Sequence, residues 1–421
     1  MPALGALAAA FAFRVTAQFI QWTVDVPWLP AFDSWQSGAV PYGALLAAQV
    51  IILGAQGAVV AGMRDGRCRP APRQAIWVLA FGVTYFGVMA FRLAASVTFA
   101  EGGWLDEPLP SVFHLVLAVF VILWALTGYP EPVPGRTPHL LRHGGYPLVT
   151  AGACGLFYVL AKSGLPSPIA AYVPVVLGVS AIVAMESRWP YRQEWRPTMV
   201  AAKPDAVFLL VVQIGLPAAL AGGYALIADA LAEGTWQLRD LWPHGWPATL
   251  QVVLMVLLAD LFRYPLHRAM HTRAALWRLH AVHHSPERLY WLNVGRFHPL
   301  EKTAQGLFDA LPFVVVGVDS WALAGYFVFY AVNGFFQHSN ADVELGPLNW
   351  LISGAELHRW HHSVDPVESG TNYGNNVIVW DVLFGTRARP PGEVDEIGNG
   401  DPGYPTGFVA SMTQPFWAGE S

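Results

Sequence analysis

The chain has 421 residues, of which 54% are hydrophobic and only 13% are charged, whereas about 25% of the residues of a typical soluble protein are charged. A net charge of −5 provides no basic field, which excludes a nucleic-acid-binding protein. A single soluble core stops growing at about 250–300 residues, so one buried core cannot hold this excess of apolar residues. The composition therefore indicates an integral membrane protein.

Apolar segments follow one another along the chain, and each predicts a membrane-spanning helix. Tyr42–Met63 and Ala206–Ala228 are free of Lys, Arg and Glu and reach the roughly 20 residues that a span needs. The shorter or interrupted segments are a first one ending near Ile20, then Ala75–Phe91, Ser111–Gly128, Leu148–Ala161, Ile169–Met185, Trp246–Phe262, Ala304–Val318 and Trp321–Phe336. The pattern predicts an all-α, polytopic membrane helical bundle of about ten spans.

The basic residues of the loops indicate which side of the membrane faces the cytosol. One set of alternate loops is 64–73, 129–146 and 186–204, and the other is 21–41, 101–110, 163–168 and 229–245. The first set contains ten Lys and Arg residues, whereas the second contains Arg239 alone. Because Lys and Arg in short loops stay on the cytoplasmic side, we expect the segments after Phe262 and after Phe336 to be cytoplasmic.

Ten of the fourteen histidines lie between His267 and His362. They form the motifs HRAMH (267–271), HAVHH (280–284) and HRWHH (358–362). Helical residues three and four apart share a face, so each motif directs two imidazoles at one point while a third reaches a neighbouring point. Eight converging imidazoles without a metal would form a costly, easily protonated core. The spacing therefore predicts two adjacent metal ions, and imidazole suits Zn, Cu, Fe or Ni.

These motifs resemble, in order, the HxxxH, HxxHH and HxxHH boxes of the fatty acid hydroxylase/sterol desaturase superfamily. The resemblance runs from about Asp260 to Thr386 and includes HPLE (298–301), HSN (338–340), NYG (372–374) and WDVLFGT (380–386). It implies an O₂-dependent, non-haem di-iron enzyme that hydroxylates or desaturates a C–H bond of a lipid taken from the bilayer. A sterol or hopanoid, a fatty acyl chain and a carotenoid are the substrates that it suggests.

Carried over position by position, the resemblance implies a set of iron ligands and no catalytic residue beyond the metal centre. The implied ligands are His267, His271, His280, His283, His284, His358, His361 and His362, with His338 and His298 as further candidates. Residues expected to hydrogen-bond these imidazoles are Asp260, Glu301, Asn340, Asn372 and Asp381. For Asp260 the alternative is a helix-end charge, and for the others it is capping or turn chemistry.

The sequence also predicts three regions and an external electron donor. Residues 1–200 form an N-terminal transmembrane helical region, 201–386 the catalytic domain with its histidine-rich cytosolic cap, and 387–421 a Pro- and Gly-rich tail. The chain has neither a CxxC iron–sulfur motif nor a GxGxxG motif after a strand. Electrons are therefore expected from a separate reductase, ferredoxin or cytochrome.

Three other functions remain open on the sequence alone. An ether-lipid monooxygenase of the alkylglycerol type would belong to the same superfamily. A histidine-rich metal transporter or sensor would carry its ionisable groups inside the spans, whereas these histidines follow the span ends. A zinc hydrolase needs a general-base carboxylate, and HRAMH lacks the Glu of HExxH.

Overall fold

The computed structural model describes residues 2–36, 40–64, 67–71, 108–128, 137–163, 167–233 and 238–417, together with part of 74–93. The chain divides into two compact units, Met1–Glu131 and Pro132–Ser421. The described residues form helices joined by loops and three isolated β-bridges. This confirms the predicted all-α class.

The helices of the first unit bury polar side chains among apolar ones. Those described from end to end are α1 (Pro2–Val24), α2 (Tyr42–Arg64) and α3 (Pro108–Leu126). Arg14 of α1 is buried, and its guanidinium donates a hydrogen bond to the carbonyl of Trp35 at 2.7 Å. Gln49 donates to the side chain of Gln18 at 3.2 Å. Arg14 therefore points into protein, as a charged side chain in a membrane helix must unless it reaches the surface.

The second unit contains most of the described helices, and it carries all the histidine motifs. Its helices are α4 (His139–Lys162), α5 (Ser167–Arg188), α6 (Met199–Phe208), α7 (Leu216–Glu233), α8 (Ala248–Thr272), α9 (Ala274–His284), α10 (Pro299–Asp309), α11 (Leu311–Val315), α12 (Ser320–His338), α13 (Ala355–His361), α14 (Pro366–Ser369), α15 (Val379–Phe384) and α16 (Phe408–Trp417). Local chemistry sets several of the helix ends. The Thr198 side chain caps the start of α6, and left-handed Gly385 ends α15.

Six helices of the described chain are long and apolar enough to cross a membrane. They are Ala3–Val24, Tyr42–Met63, His139–Lys162, Ser167–Arg188, Met199–Leu231 and Ala248–Thr272. They confirm a polytopic membrane protein, while the predicted count of about ten spans stays a prediction. Of the remaining segments, Ser111–Gly128 overlaps the shorter apolar helix Leu109–Ala125, and much of Ala75–Phe91 lies outside the described residues.

The predicted span Ala304–Val318 is two short helices in the structure. Helix α10 ends at Asp309, and Ala310 has a φ of −122°, outside the helical range. Pro312 is in the first turn of α11. Proline has no amide hydrogen to continue the ladder of α10, and in a continuous helix its ring would clash with the carbonyl of Phe308, four residues earlier. The apolar character of this segment therefore does not produce one continuous helix.

Helix α10 is polar on its inner side and apolar on its outer side. The polar inner face comprises Glu301, Lys302, Gln305 and Asp309, each of them 7% exposed or less. The outward side chains are Leu300, Leu307 and Phe308, which are 55%, 45% and 41% exposed. This is the reverse of a helix on a soluble protein and indicates an apolar environment outside and a polar interior.

Residues of the predicted C-terminal tail pack against the rest of the second unit. Val394 and Ile397 are buried in a cluster with Trp195 and Leu289, and Phe408 of α16 packs edge-on against Phe208. The compact units meet at residue 131, whereas the predicted domains meet near 200 and 387. Those functional boundaries stay predictions.

Helix α12 lies close to α4, α5 and α8, and this packing positions its C-terminal histidine. A Cβ atom on Gly325 would lie 2.8 Å from a methyl of Val252 and 3.1 Å from the ring of Phe157. The hydroxyl of Tyr146 donates to the side-chain oxygen of Asn333 at 2.8 Å. The glycine thus permits an approach that a larger side chain would prevent.

We therefore expect Gly325→Val to destabilise the protein by about 1–3 kcal/mol through overpacking. The matched control is Gly152→Val on α4, because a Cβ there meets nothing within 4 Å. Thermal unfolding of both variants in detergent would measure the difference. Equal unfolding temperatures would contradict this packing.

Candidate metal centre

Nine of the ten clustered histidines come together at the ends of four helices. These are His267 and His271 on α8, His280, His283 and His284 on α9, His338 at the end of α12, and His358, His361 and His362 at α13. Only Arg273 separates α8 from α9, so the first two motifs face each other across a tight helical hairpin. Helix α13 packs against α12 and brings the third motif to the same place.

Eight of these imidazoles form two groups of four. His267, His271, His280 and His361 form one group, and His283, His338, His358 and His362 form the other. Within each group, one nitrogen atom per ring lies within 4.8 Å of those of the other three rings. The groups are adjacent, since the ring centroids of His280 and His283 are 5.4 Å apart. The arrangement offers two neighbouring positions for metal ions.

His284 is the ninth imidazole and lies between the groups. Its ring stacks on His362 with centroids 4.2 Å apart, and its centroid is 4.8 Å from that of His271. The side chain is fully buried, and neither ring nitrogen has a hydrogen-bond partner among the described residues. Burying an imidazole without a hydrogen-bond partner costs free energy. A metal ion or another polar group that bonded to His284 would therefore stabilise it.

The hydrogen bonds of His267 and His280 direct two lone pairs at each other. The Nδ1 of His267 donates to the carbonyl of Tyr373 at 2.7 Å, and the Nδ1 of His280 donates to Glu301 at 2.7 Å. A neutral imidazole has a single N–H, so each Nε2 presents a lone pair. These two Nε2 atoms are 3.2 Å apart. They repel each other unless a cation lies between them.

The second group shows the same convergence. The Nε2 of His358 is 3.1 Å from the Nε2 atoms of both His338 and His362. With metal–nitrogen bonds of about 2.1 Å, two imidazole nitrogens at right angles on one ion would be about 3.0 Å apart. The observed spacing therefore fits nitrogen ligands around a metal ion.

Burial keeps the imidazoles of His284, His361 and His362 neutral. The side chains of His361 and His362 have no exposed surface. Burial, together with the nearby imidazole of His280, lowers the pKa of His361 to about 3. Burial and the surrounding imidazoles also lower the pKa of His284 and His362 well below their usual value of 6.5. The lone pairs are therefore free to bind a metal at neutral pH.

Further hydrogen bonds fix the outer edges of the rings. The Nδ1 atoms of His283 and His361 donate to the carbonyls of Arg296 at 3.3 Å and Thr371 at 2.8 Å. The Nδ1 of His338 contacts the side-chain oxygen of Asn293 at 3.2 Å. Sequence reasoning missed these partners, because a backbone carbonyl leaves no residue signature. Asn293 was missed because it lies outside every recognised motif.

Glu301, predicted to hydrogen-bond an imidazole, contacts His280 directly. Its Oε1 accepts from His280 Nδ1 and also from the side-chain amide of Gln305 at 2.8 Å. The carboxylate is fully buried. It therefore fixes the tautomer and the orientation of the His280 ring.

Asp381 acts on an imidazole through the backbone. Its carboxylate accepts from the amides of Tyr373 and Gly374 at 2.7 Å each. The carbonyl of Tyr373 receives the N–H of His267. Asp381 thus fixes the loop whose carbonyl group, that of Tyr373, orients the His267 ring.

Asp260 stabilises the next part of the same loop. Its carboxylate accepts from the amides of Asn376 and Val377 at 2.6 Å each, and from the side chain of Asn376 at 2.8 Å. The structure gives Asp260 these loop contacts in place of the expected imidazole contact.

Asn340 and Asn372 also tie backbone segments together. Asn340 exchanges hydrogen bonds with the amide and carbonyl of Arg192. Asn372 has a φ of 55° and donates to the carbonyls of Leu357 and Ala388 at 3.2 and 2.8 Å. These contacts match the alternative of turn chemistry.

His298 lies apart from the nine histidines. Its Nδ1 accepts from the amide of Leu300 at 3.2 Å and so caps α10, while its Nε2 donates to the carbonyl of Met412 at 3.2 Å. Both nitrogens are used, which is a structural role for a neutral imidazole.

We expect Glu301→Gln to lower metal affinity about 10- to 100-fold, because an amide is a weaker acceptor for the His280 N–H than a carboxylate. The control is Glu287→Gln, an exposed carboxylate shortly after α9. Metal retained after dialysis against a chelator would be measured by elemental analysis. Equal retention in both variants would contradict the role of Glu301.

Comparison with known proteins identifies a family. Residues 252–386 match the family model described as "Fatty acid hydroxylase". The chain is 33% identical over 247 residues to the ornithine lipid hydroxylase OlsE of Rhizobium tropici, covering 58% of this chain and 74% of that relative. No solved structure matches the chain.

Two other relatives match over shorter stretches. The alkylglycerol monooxygenase of Caenorhabditis elegans is 25% identical over 162 residues, covering 38% of this chain and 31% of the relative. The probable Delta(7)-sterol 5(6)-desaturase of Neurospora crassa is 30% identical over 173 residues, covering 41% and 46%. The chain thus spans less than half the length of these two relatives.

The chain belongs to the fatty acid hydroxylase/sterol desaturase superfamily and is a lipid-modifying oxidoreductase of that superfamily.

Proposed function

We propose that this protein is a di-iron oxygenase that hydroxylates a membrane lipid. The observation that carries the proposal is the pair of adjacent imidazole groups, whose buried lone pairs converge at 3.1–3.2 Å. Membership of the superfamily favours iron over zinc or copper, which imidazole would also bind.

The proposed ligands divide between the two iron ions in the same way as the imidazoles divide into the two groups. His267, His271, His280 and His361 would hold one iron, and His283, His338, His358 and His362 the other. His284 lies against both groups and would complete the set. The position of His298 at the start of α10 argues against its being a ligand.

Two bound iron ions would supply the activation of O₂ and the oxidation of a C–H bond, which side chains alone cannot perform. The protein's own residues orient and shield that centre. Glu301 and the carbonyl of Tyr373 hold protons on the outer nitrogens, so the inner nitrogens stay free to bind metal. Burial of the rings excludes water, which would compete with substrate.

A lipid is the proposed substrate, and the catalytic domain is proposed to be residues 201–386. The chain covers 74% of the ornithine lipid hydroxylase but under half of the sterol desaturase. This supports hydroxylation over desaturation, and it makes an amino-acid-bearing lipid a better first substrate to test than a sterol, hopanoid, fatty acyl chain or carotenoid. The ether-lipid alternative is supported by the shorter match to the alkylglycerol monooxygenase.

The active site is proposed to face the cytoplasm. The ten-to-one distribution of Lys and Arg between alternate loops supports this orientation. A water-soluble one-electron donor could then reach the site, so we propose a separate ferredoxin, cytochrome or reductase as the redox partner.

Purified protein is expected to contain about two iron ions per chain, and His361→Ala is expected to lose iron and abolish lipid hydroxylation. Removing one of four ligands leaves an incomplete site, so the loss should exceed the effect of any outer contact. His143→Ala is the matched control, since this exposed histidine lies outside both groups. Elemental analysis and a search for +16 mass changes in cell lipids would test both parts.

One zinc per chain, or undiminished turnover by His361→Ala, would overturn the proposal. The His298→Ala variant tests whether His298 is an iron ligand, as the resemblance to the superfamily implies, or a helix cap, as its hydrogen bonds indicate. We expect it to keep both iron ions and to lose the cap of α10 and the hydrogen bond to the Met412 carbonyl, at a cost of about 1–2 kcal/mol.

A further inference from the structure

The space beside the imidazoles is polar. Five of the nine histidines line a cavity of about 40 Å³. Six other polar side chains line it, whereas Val294 and Phe297 are its two apolar side chains. Ligand sites are usually lined mostly by apolar residues with few polar ones. A wall of this kind suits a small polar group better than an acyl chain or a ring system.

The polar inner face of α10 contributes to this wall. Gln305 lines the cavity, and Glu301 of the same face is bonded to His280. The outward side of the helix, with Leu300, Leu307 and Phe308, is exposed. Polar groups therefore face the imidazoles while apolar ones face outward, where lipid would solvate them.

Two acceptors in the wall have no partner among the described residues. The amide nitrogen of Gln305 donates to Glu301 at 2.8 Å, which directs its oxygen away from that carboxylate. This oxygen and the side-chain oxygen of Gln213 are both buried and unpaired. Gln305 itself is only 3% exposed. Buried carbonyl oxygens of this kind require donors.

Two cationic side chains at or beside this wall, in contrast, already have acceptors. Arg263 donates to Asp309 at 2.6 Å. The ammonium of Lys302 donates to the hydroxyl of Tyr330 at 2.9 Å. Among the residues that the structure describes, the other carboxylate oxygens of Asp309 and Glu301 are buried and have no hydrogen-bond partner. The unpaired oxygens of Gln213 and Gln305 therefore need N–H or O–H donors. The unpaired carboxylate oxygens of Asp309 and Glu301, which are bonded to the lining residues Arg263 and His280, favour a donor that is also a cation.

We propose that this cavity binds the primary amine of a lipid head group, with Gln213 and Gln305 as the specificity-determining residues. The evidence for the binding site is the cavity itself, whereas the reaction at that site rests on the proposed function. With the amine held there, the carbon that reaches the imidazoles is one of the head group. One C–H bond becomes C–OH while O₂, two electrons from the external donor and two protons are consumed and one water is released.

The binding test uses the protein as purified, in phosphatidylcholine nanodiscs without O₂ or an electron donor, so that no turnover occurs. The two probes are an ornithine-containing lipid and its N-trimethylated form, which keeps the positive charge but has no N–H donor on that nitrogen. We expect the primary amine to bind about tenfold more tightly, as the loss of a charge-assisted hydrogen bond implies. Equal affinity for the two lipids would overturn the proposal.

Variants of the two glutamines test the residue assignment. Gln305→Leu and Gln213→Leu are each expected to reduce the tenfold preference to about twofold or less. Gln193→Leu, an exposed glutamine elsewhere in the unit, is the control that keeps the full preference. Should Gln305→Leu fail to fold, Gln213→Leu carries the test alone, because Gln213 makes no hydrogen bond with Glu301. A preference that persists in every folded variant would overturn the assignment.

Iron-loaded protein then separates this inference from the proposed function. Tandem mass spectrometry of the product should place the added oxygen on the head-group fragment. Oxygen on the acyl fragment would overturn the head-group inference and leave lipid hydroxylation intact. If no lipid is oxidised, the proposed function fails, and the binding preference still decides whether the amine site exists.

Discussion

The structure depends on the burial of imidazoles whose inner nitrogen atoms face one another. Each buried nitrogen without a partner costs roughly 1–3 kcal/mol, so several of them exceed what packing alone would tolerate. His267 and His280 cannot relieve the repulsion by turning, because their outer nitrogens are fixed on Tyr373 and Glu301. A cation between the rings removes the repulsion and the unmet hydrogen-bonding demand together. Metal binding and folding of this region are therefore linked.

The support of the rings comes mostly from loops, and the loops are in turn held by carboxylates. Asp381 binds two consecutive backbone amides of the loop whose carbonyl holds His267. Asp260 binds the amides that follow. A buried carboxylate with several N–H partners is a rigid anchor. The predicted acidic residues thus matter to the imidazoles, but Asp260 and Asp381 act through the backbone.

The sequence predicted that the imidazoles of the motifs converge. It did not predict how they divide between the two groups. Spacings of three and four fix the face of a helix, so the imidazoles of the motifs were expected to converge. The crossing of separate helices decides the grouping, and no spacing encodes it. His280 joins the group of α8 while His283, one turn later, joins the group of α12 and α13. For the same reason the position of His284 between the groups could not be predicted.

The prediction of a membrane span over Ala304–Val318, made from hydropathy alone, was also wrong. The reason for this error indicates how a lipid reaches the site. The apolar residues of α10 lie on its outer side, so they suggest a span, while its inner face lines a polar interior. An enzyme that draws only a head group into such an interior can leave the acyl chains in the bilayer. The membrane then solvates the chains throughout the reaction, and the protein needs no apolar tunnel to hold them. A polar cavity beside an oxidising centre is therefore consistent with a lipid substrate, provided that the reacting carbon lies near the polar end.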